Sequence, residues 1–196
     1  MREDQLFFSM SLVFAATLAL IIVVANTNIV PTIVAPTNLI TSLSGTGGTV
    51  VNNNEIVFDS GRTGIYNSNT IALVAPKQFL NFNFALTNLS ANGDYVDVSI
   101  ISTAPGFLTF TFQLSFTAGQ PIYTLLKNGS TVGTSQAFAL NTFFSFNVST
   151  VNAEFIVNGV NVHSETAGPS DSYILQVAGG GGASQRRITN IIAYAT

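Results

Sequence analysis

From Phe107 to Phe116 the chain reads Phe-Leu-Thr-Phe-Thr-Phe-Gln-Leu-Ser-Phe. Leu108, Phe110, Phe112, Leu114 and Phe116 therefore share one side of an extended chain, and Thr109, Thr111, Gln113 and Ser115 share the other. A helix would scatter these side chains around its axis, whereas a strand with one buried and one wet face sorts them in this way. Leu80, Phe82 and Phe84 alternate with Asn81 and Asn83, and Val96, Val98 and Ile100 alternate through Asp94–Ile101. Further strands are expected at Val50–Phe58, Gly64–Val74, Pro121–Lys127, Thr142–Val148, Ala153–Val157, Val160–Ser164, Tyr173–Ala178 and Ile188–Ala195. Asn128-Gly129 and Asn158-Gly159 each fall between two such runs, where both residue types tolerate the positive φ of a type I′ hairpin turn. Short strands with turn signals between them, and no amphipathic helix among them, give an all-β, antiparallel, jelly-roll-like β-sandwich over residues 49–196. Sixteen Phe and no Trp supply its core, for which Phe82, Phe84, Phe110, Phe112, Phe146, Phe155 and Val157 are the expected members.

The N-terminus is of another kind. Leu6 to Ala25 carries no charged residue, and its Ser9, Ser11 and Thr17 hydroxyls can bond back to helix carbonyls. Twenty helical residues rise ~30 Å, the thickness of a bilayer's hydrocarbon core, so residues 1–25 are expected to form one transmembrane anchor. Its lipid-facing residues would be Leu6, Phe7, Phe8, Leu12, Phe14, Leu18, Leu20, Ile21 and Val24. A cleaved signal peptide is the rival reading, with Val23 and Ala25 small enough for a processing site. Against it, Met-Arg-Glu-Asp lacks net positive side-chain charge, and the apolar run exceeds the usual signal core. Arg2 and the α-amino group precede the span and no Lys or Arg follows before Arg62, which places the N-terminus inside and the β domain outside. Residues 26–48, with Pro31 and Pro36 among β-branched residues, read as an extended stalk ending in a flexible Gly45-Thr46-Gly47-Gly48 joint.

Charge excludes several functions. Only 8% of residues are charged and the net charge is −3. Arg186-Arg187 is the one basic cluster beyond the anchor, which argues against direct nucleic-acid binding, since phosphate neutralisation needs a basic stripe. There is no cysteine, so no disulfide framework and no thiolate metal site. His163 is the single histidine, and no Gly-x-Ser-x-Gly motif accompanies it. Asp59, Asp94, Asp97 and Asp171 lack the spacing of an EF-hand loop and read as solvated loop carboxylates, so no metal and no cofactor is expected. Gly179–Gly182 has neither the helix nor the lysine of a phosphate-binding loop and reads as a flexible connection. Asn88, Asn128 and Asn147 open glycosylation triplets, a number that chance alone produces in a chain this rich in Asn, Ser and Thr.

Ala153-Glu-Phe-Ile-Val-Asn-Gly-Val-Asn-Val-His163 followed by Arg187-Ile-Thr-Asn-Ile-Ile-Ala-Tyr194 resembles the concanavalin-like jelly roll of lectins and laminin-G-type modules. There an aliphatic-x-Asn/Asp-Gly-Val hairpin precedes a last strand that returns to the first sheet. The resemblance implies a sandwich that binds carbohydrate, with Tyr66, Tyr95 and Tyr123 as candidate sugar-contacting aromatics. Glycosidases of that fold carry a Glu-x-Asp-x-x-Glu strand, and this chain has none, so no enzymatic activity is expected. Low charge, an anchor and a stalk together point first to a structural role. The leading expectation is a minor capsid or membrane protein of a virion, set between an internal lipid layer and a protein shell and partnered by both membrane and neighbouring subunits. A surface lectin or adhesin is the second expectation and a pilus or surface-layer subunit the third.

Overall fold

The computed structural model describes residues 36–104, 106, 108–168 and 170–196. The expected anchor, and the stalk as far as residue 35, lie outside the described residues. Pro36–Thr196 forms one compact unit. Within it no helix is long and apolar enough to cross a membrane. In chain order the strands are β1 (Leu43–Thr46), β2 (Thr49–Val51), β3 (Glu55–Phe58), β4 (Gly64–Ser68), β5 (Ile71–Ala72), β6 (Leu80–Asn88), β7 (Tyr95–Ser102), β8 (Thr109–Thr117), β9 (Gln120–Lys127), β10 (Ser130–Thr131), β11 (Gln136–Ala137), β12 (Phe143–Val148), β13 (Asn152–Val157), β14 (Val160–Thr166), β15 (Ser172–Gly180) and β16 (Arg186–Ala195). All pairing is antiparallel. The first sheet runs β1-β4-β15-β7-β8-β9-β10, with β11 on β9 and β5 on β15; the second runs β14-β13-β12-β6-β16-β3-β2.

The alternation in the sequence becomes the core of this sandwich. Phe110, Phe112 and Leu114 of β8 and Val96, Val98 and Ile100 of β7 point inward from the first sheet, to meet Phe82, Phe84, Phe144, Phe146 and Phe155 of the second. Phe112 sits at the centre, its ring 4.9–6.2 Å from those of Phe84, Tyr123, Phe144, Phe146 and Phe155. Val157, expected in the core, is half-buried and packs on its margin. Both Asn-Gly turns form as expected. Lys127 pairs with Ser130 and Val157 with Val160 across two-residue loops, and Asn128 and Asn158 hold φ of 50° and 49°.

Three expectations are corrected. The folded unit begins at Pro36 and not at residue 49: Ile40 and Leu43 are buried in the core, and β1 pairs with β4. Leu39 and Asn38 bond to Ala193 of the last strand at 2.7 and 3.0 Å, so the end of the expected stalk is part of the sandwich wall. Gly45 is likewise no flexible joint, because it faces Tyr66 in the ladder so closely that a Cβ there would overlap the Ile65 carbonyl. Finally, the single strands expected at Val50–Phe58 and Gly64–Val74 are each divided. Asn52 and Asn53, at φ 51° and 53°, turn β2 back onto β3, while β4 and β5 both pair with β15.

Candidate functional site

Side chains that alternate with the core on β4, β15, β7, β8 and β9 form the outer face of the first sheet. The register aligns them in rows across the strands. One row runs Ile65, Ala178, Asp97, Gln113, Thr124; the next runs Asn67, Gln176, Ser99, Thr111. Gln176 Nε2 donates to Asn67 Oδ1 at 3.0 Å, the Ser99 and Thr111 hydroxyls are 2.8 Å apart, and those of Thr124 and Ser135 are 2.7 Å apart. The face is thus a field of amides and hydroxyls, with Asp97 the one carboxylate in the described strands of that sheet. Above it opens a cleft of about 290 Å³ whose lining includes Asp94, Tyr95, Asp97, Gln113, Ser115 and Thr117.

Asp97 is one of the two carboxylates that line this cleft. Burial raises its carboxyl above the ordinary value, against a smaller lowering by hydrogen bonding from Gln113, its cross-strand partner. Its Oδ1 is shielded from solvent and has no hydrogen-bonding partner. Tyr95 forms one wall, and its ring lies over Gly180, where a Cβ would strike it.

One end of the cleft is fixed by a buried knot. Asp94 Oδ1 accepts from the backbone N–H of Gly182 and Ala183 at 2.7 and 2.9 Å, and Oδ2 from the N–H of Ser184 at 2.9 Å and from the Ser184 hydroxyl. Burial raises this carboxyl, but the Ser184 hydroxyl and the three N–H groups outweigh it and hold it below the usual value. Arg186, fully buried, lies 4.0 Å from Asp94. It donates through Nη1 to the Ser184 carbonyl at 3.0 Å and through Nη2 to the Arg62 carbonyl, with its guanidinium 6.0 Å from the Phe58 ring centroid. Gly61 N–H bonds the Gly182 carbonyl at 2.6 Å, so the loops 59–63, 91–94 and 181–185 are locked together. Asp94 is therefore not the solvated carboxylate, nor the glycine run the flexible connection, that the sequence suggested. No local pattern signals this knot, whose partners lie 88–124 residues apart.

The other candidates disperse. Of the three tyrosines, Tyr66 and Tyr123 are only 5% and 3% exposed and belong to the core, whereas Tyr95 is 39% exposed on the cleft. Tyr123 donates its hydroxyl to Gln136 at 2.9 Å. His163 and Lys127 both reach Glu165, each at 2.9 Å, and this clasp ties β9 of one sheet to β14 of the other. Hydrogen bonds from Lys127 and then His163 hold the Glu165 carboxyl below its ordinary value. Among the described residues no three His, Cys, Asp or Glu side chains group as metal ligands. Of the glycosylation candidates, Asn128 occupies the β9–β10 turn with its Oδ1 accepting from Thr109 N–H at 2.9 Å. Asn147 donates to Glu154 at 2.8 Å on β12, and Asn88 is half-buried at the end of β6. The anchor residues lie outside the described residues.

In fold, this pair of antiparallel sheets is similar to concanavalin-like jelly-roll β-sandwiches. The chain superposes with a TM-score of 0.58 and 8% identity on a functionally unknown protein from Saccharomyces cerevisiae, over 79% of this chain and 96% of the other. On the carbohydrate recognition domain of Emp46p the score is 0.57 at 9% identity, over 78% and 87%. On the catalytic domain of an endo-1,3-beta-glucanase from Thermotoga petrophila it is 0.52 at 10% identity, over 76% and 79%. No family model matches the sequence, and no curated protein does. At such identities the likeness concerns the fold alone.

Proposed function

We propose that the protein is a non-enzymatic saccharide-binding module, whose binding face is the outer surface of the first sheet around Tyr95, Asp97 and Gln113. The observation that carries this reading is the cleft itself: an exposed aromatic beside hydroxyl, amide and carboxylate side chains. Sugar rings offer apolar faces to an aromatic wall and hydroxyls to such groups, and a small number of placed polar groups fixes a ligand's orientation. Non-enzymatic binding is supported by the carboxylates. Glycoside hydrolysis uses two carboxyl groups flanking one bond, and the carboxylates that line this cleft are Asp94 and Asp97. Asp94, the nearest in sequence to Asp97, is consumed by the 182–184 loop. The module would be carried outside the membrane on the apolar segment 6–25.

Binding is tested by isothermal titration of oligosaccharides with the wild-type chain and with Tyr95→Ala and Gln113→Ala. Each variant should bind about tenfold more weakly or worse, while melting within a few degrees of wild type. Heat without any effect of either substitution would sink the assignment of this face. Incubation with β-glucans should release no new reducing ends.

The second reading, a subunit of a virion, pilus or surface layer, draws on the 8% charge together with the exposed Val74, Phe143, Val151 and Val160, apolar side chains that a neighbouring subunit would cover. Imaging of the detergent-stripped source particle tests it: copies at fixed lattice positions support it, and scattered copies refute it.

A further inference from the structure

Resting on the saccharide-binding reading above, we propose that the cleft selects neutral saccharides and rejects uronates and sulfated sugars, with Asp97 as the specificity-determining residue. Its carboxylate is the one charge that the described strands of the first sheet place on their outer face. Lys127, the other charged residue of those strands, stands opposite inward-pointing Phe110 and is engaged by Glu165 across the sandwich. Arg186 is buried in the knot, and Arg187 pairs with Glu55 at 2.8 Å on the second sheet. Arg62 and Lys77 stand in the loops 59–63 and 73–79 and not on the strands. An anionic sugar entering the cleft would therefore meet the negative charge of Asp97 among lining residues that include no cation, in surroundings that screen charge less than water does.

A neutral sugar meets the opposite situation. Asp97 lines the cleft, and its carboxylate accepts hydrogen bonds without donating any, so a ligand hydroxyl is the group suited to it. Gln113 and Ser115 on the neighbouring strand and Tyr95 on the wall supply further donors, acceptors and apolar surface within the same cleft. Sugars thus differ in whether they bring a donor or a second negative charge to that carboxylate.

The test is an array of immobilised neutral glucans, mannans, xylans and galactans beside alginate, polygalacturonate and sulfated galactans. It is probed with the full chain in a detergent without a sugar headgroup, at pH 7. The net charge of −3 also opposes acidic glycans at long range, so the array is read again in 1 M salt, where screening leaves only interactions within ~3 Å. Wild type should bind members of the neutral set and none of the acidic set at either salt concentration. Asp97→Asn, which keeps the shape and removes the charge, should lose about tenfold of its neutral affinity. It should also bind neutral and acidic glycans alike, with an unimpaired melting temperature. Wild-type binding to acidic glycans as tight as to neutral ones overturns the selectivity, and so does a preference unchanged in Asp97→Asn; both leave saccharide binding standing. Wild-type binding to no glycan on the array overturns the saccharide reading itself, and the selectivity with it.

Discussion

Asp94 and Asp97, three residues apart, are displaced in opposite directions, and their variants should show opposite dependences on pH. Asp94 is held below its ordinary value by four hydrogen bonds, so its stabilisation is present above about pH 3.8 and is lost as pH falls through the lowered folded value. Asp94→Asn turns an N–H₂ against the donors of Ser184 and should destabilise by about 2–3 kcal/mol at pH 7, a deficit that shrinks on acidification below pH 3.8. Asp97 is raised by burial, so its charged form destabilises the fold; that penalty is absent below about pH 3.8 and develops as pH rises through the raised folded value. Asp97→Asn should therefore melt higher than wild type at pH 7 and level with it in acid. Thermal melts between pH 3 and 8 measure both, and parallel curves for the two variants would contradict this account. In the core, Phe112→Ala opens a cavity among five aromatic rings. It should cost about 3–5 kcal/mol, a fall of roughly 10 °C in Tm. A near-neutral effect would mean that β8 presents its other face to the interior.

At the scale of elements, β1 offers a test that separates a structural glycine from a flexible one. In a flexible joint Gly45→Ala would stabilise by about 0.4–1 kcal/mol, through the entropy of the unfolded chain. Opposite Tyr66, where a Cβ would overlap the Ile65 carbonyl, the same change should instead destabilise and detach β1 from β4. Faster amide exchange at Leu43 and Thr46 would report it, and unchanged protection would refute the ladder. The same strand marks the limit of what the sequence makes legible. Period-two runs located the long strands, and Asn-Gly turns located two hairpins, because both signals are local. β1 reads as stalk because Gly45, the two glycines that follow the strand and the prolines before it mimic a linker. The β8–β9 turn, Ala118-Gly119, went unread because Ala holds φ 53° there, a conformation that no residue preference announces. Of the candidate site, Tyr95 is legible only as one of the three tyrosines, with Tyr66 and Tyr123, that the fold resemblance offers as sugar contacts. The roles of Asp94, Asp97 and Arg186 were not, since they arise from strands and loops that meet only in the folded sandwich.

At the scale of the whole molecule, the sandwich and the apolar N-terminus make separable demands. Pro36–Thr196 forms a compact unit with its own core, so its melting temperature and saccharide binding should not depend on residues 1–35. Membrane association should depend on them entirely, because Leu6–Ala25 is the one uninterrupted apolar run of spanning length in the chain. The full chain should therefore stay in the pellet through alkaline carbonate extraction, and a chain beginning at Pro36 should move to the supernatant while melting at the same temperature. Mass spectrometry of the pelleted form separates anchor from signal peptide, since a retained anchor leaves residues 1–25 in place and cleavage removes them. Intact chain, residues 1–25 included, released by carbonate would refute the anchor; a Pro36–Thr196 chain that fails to fold would refute the independence of the sandwich.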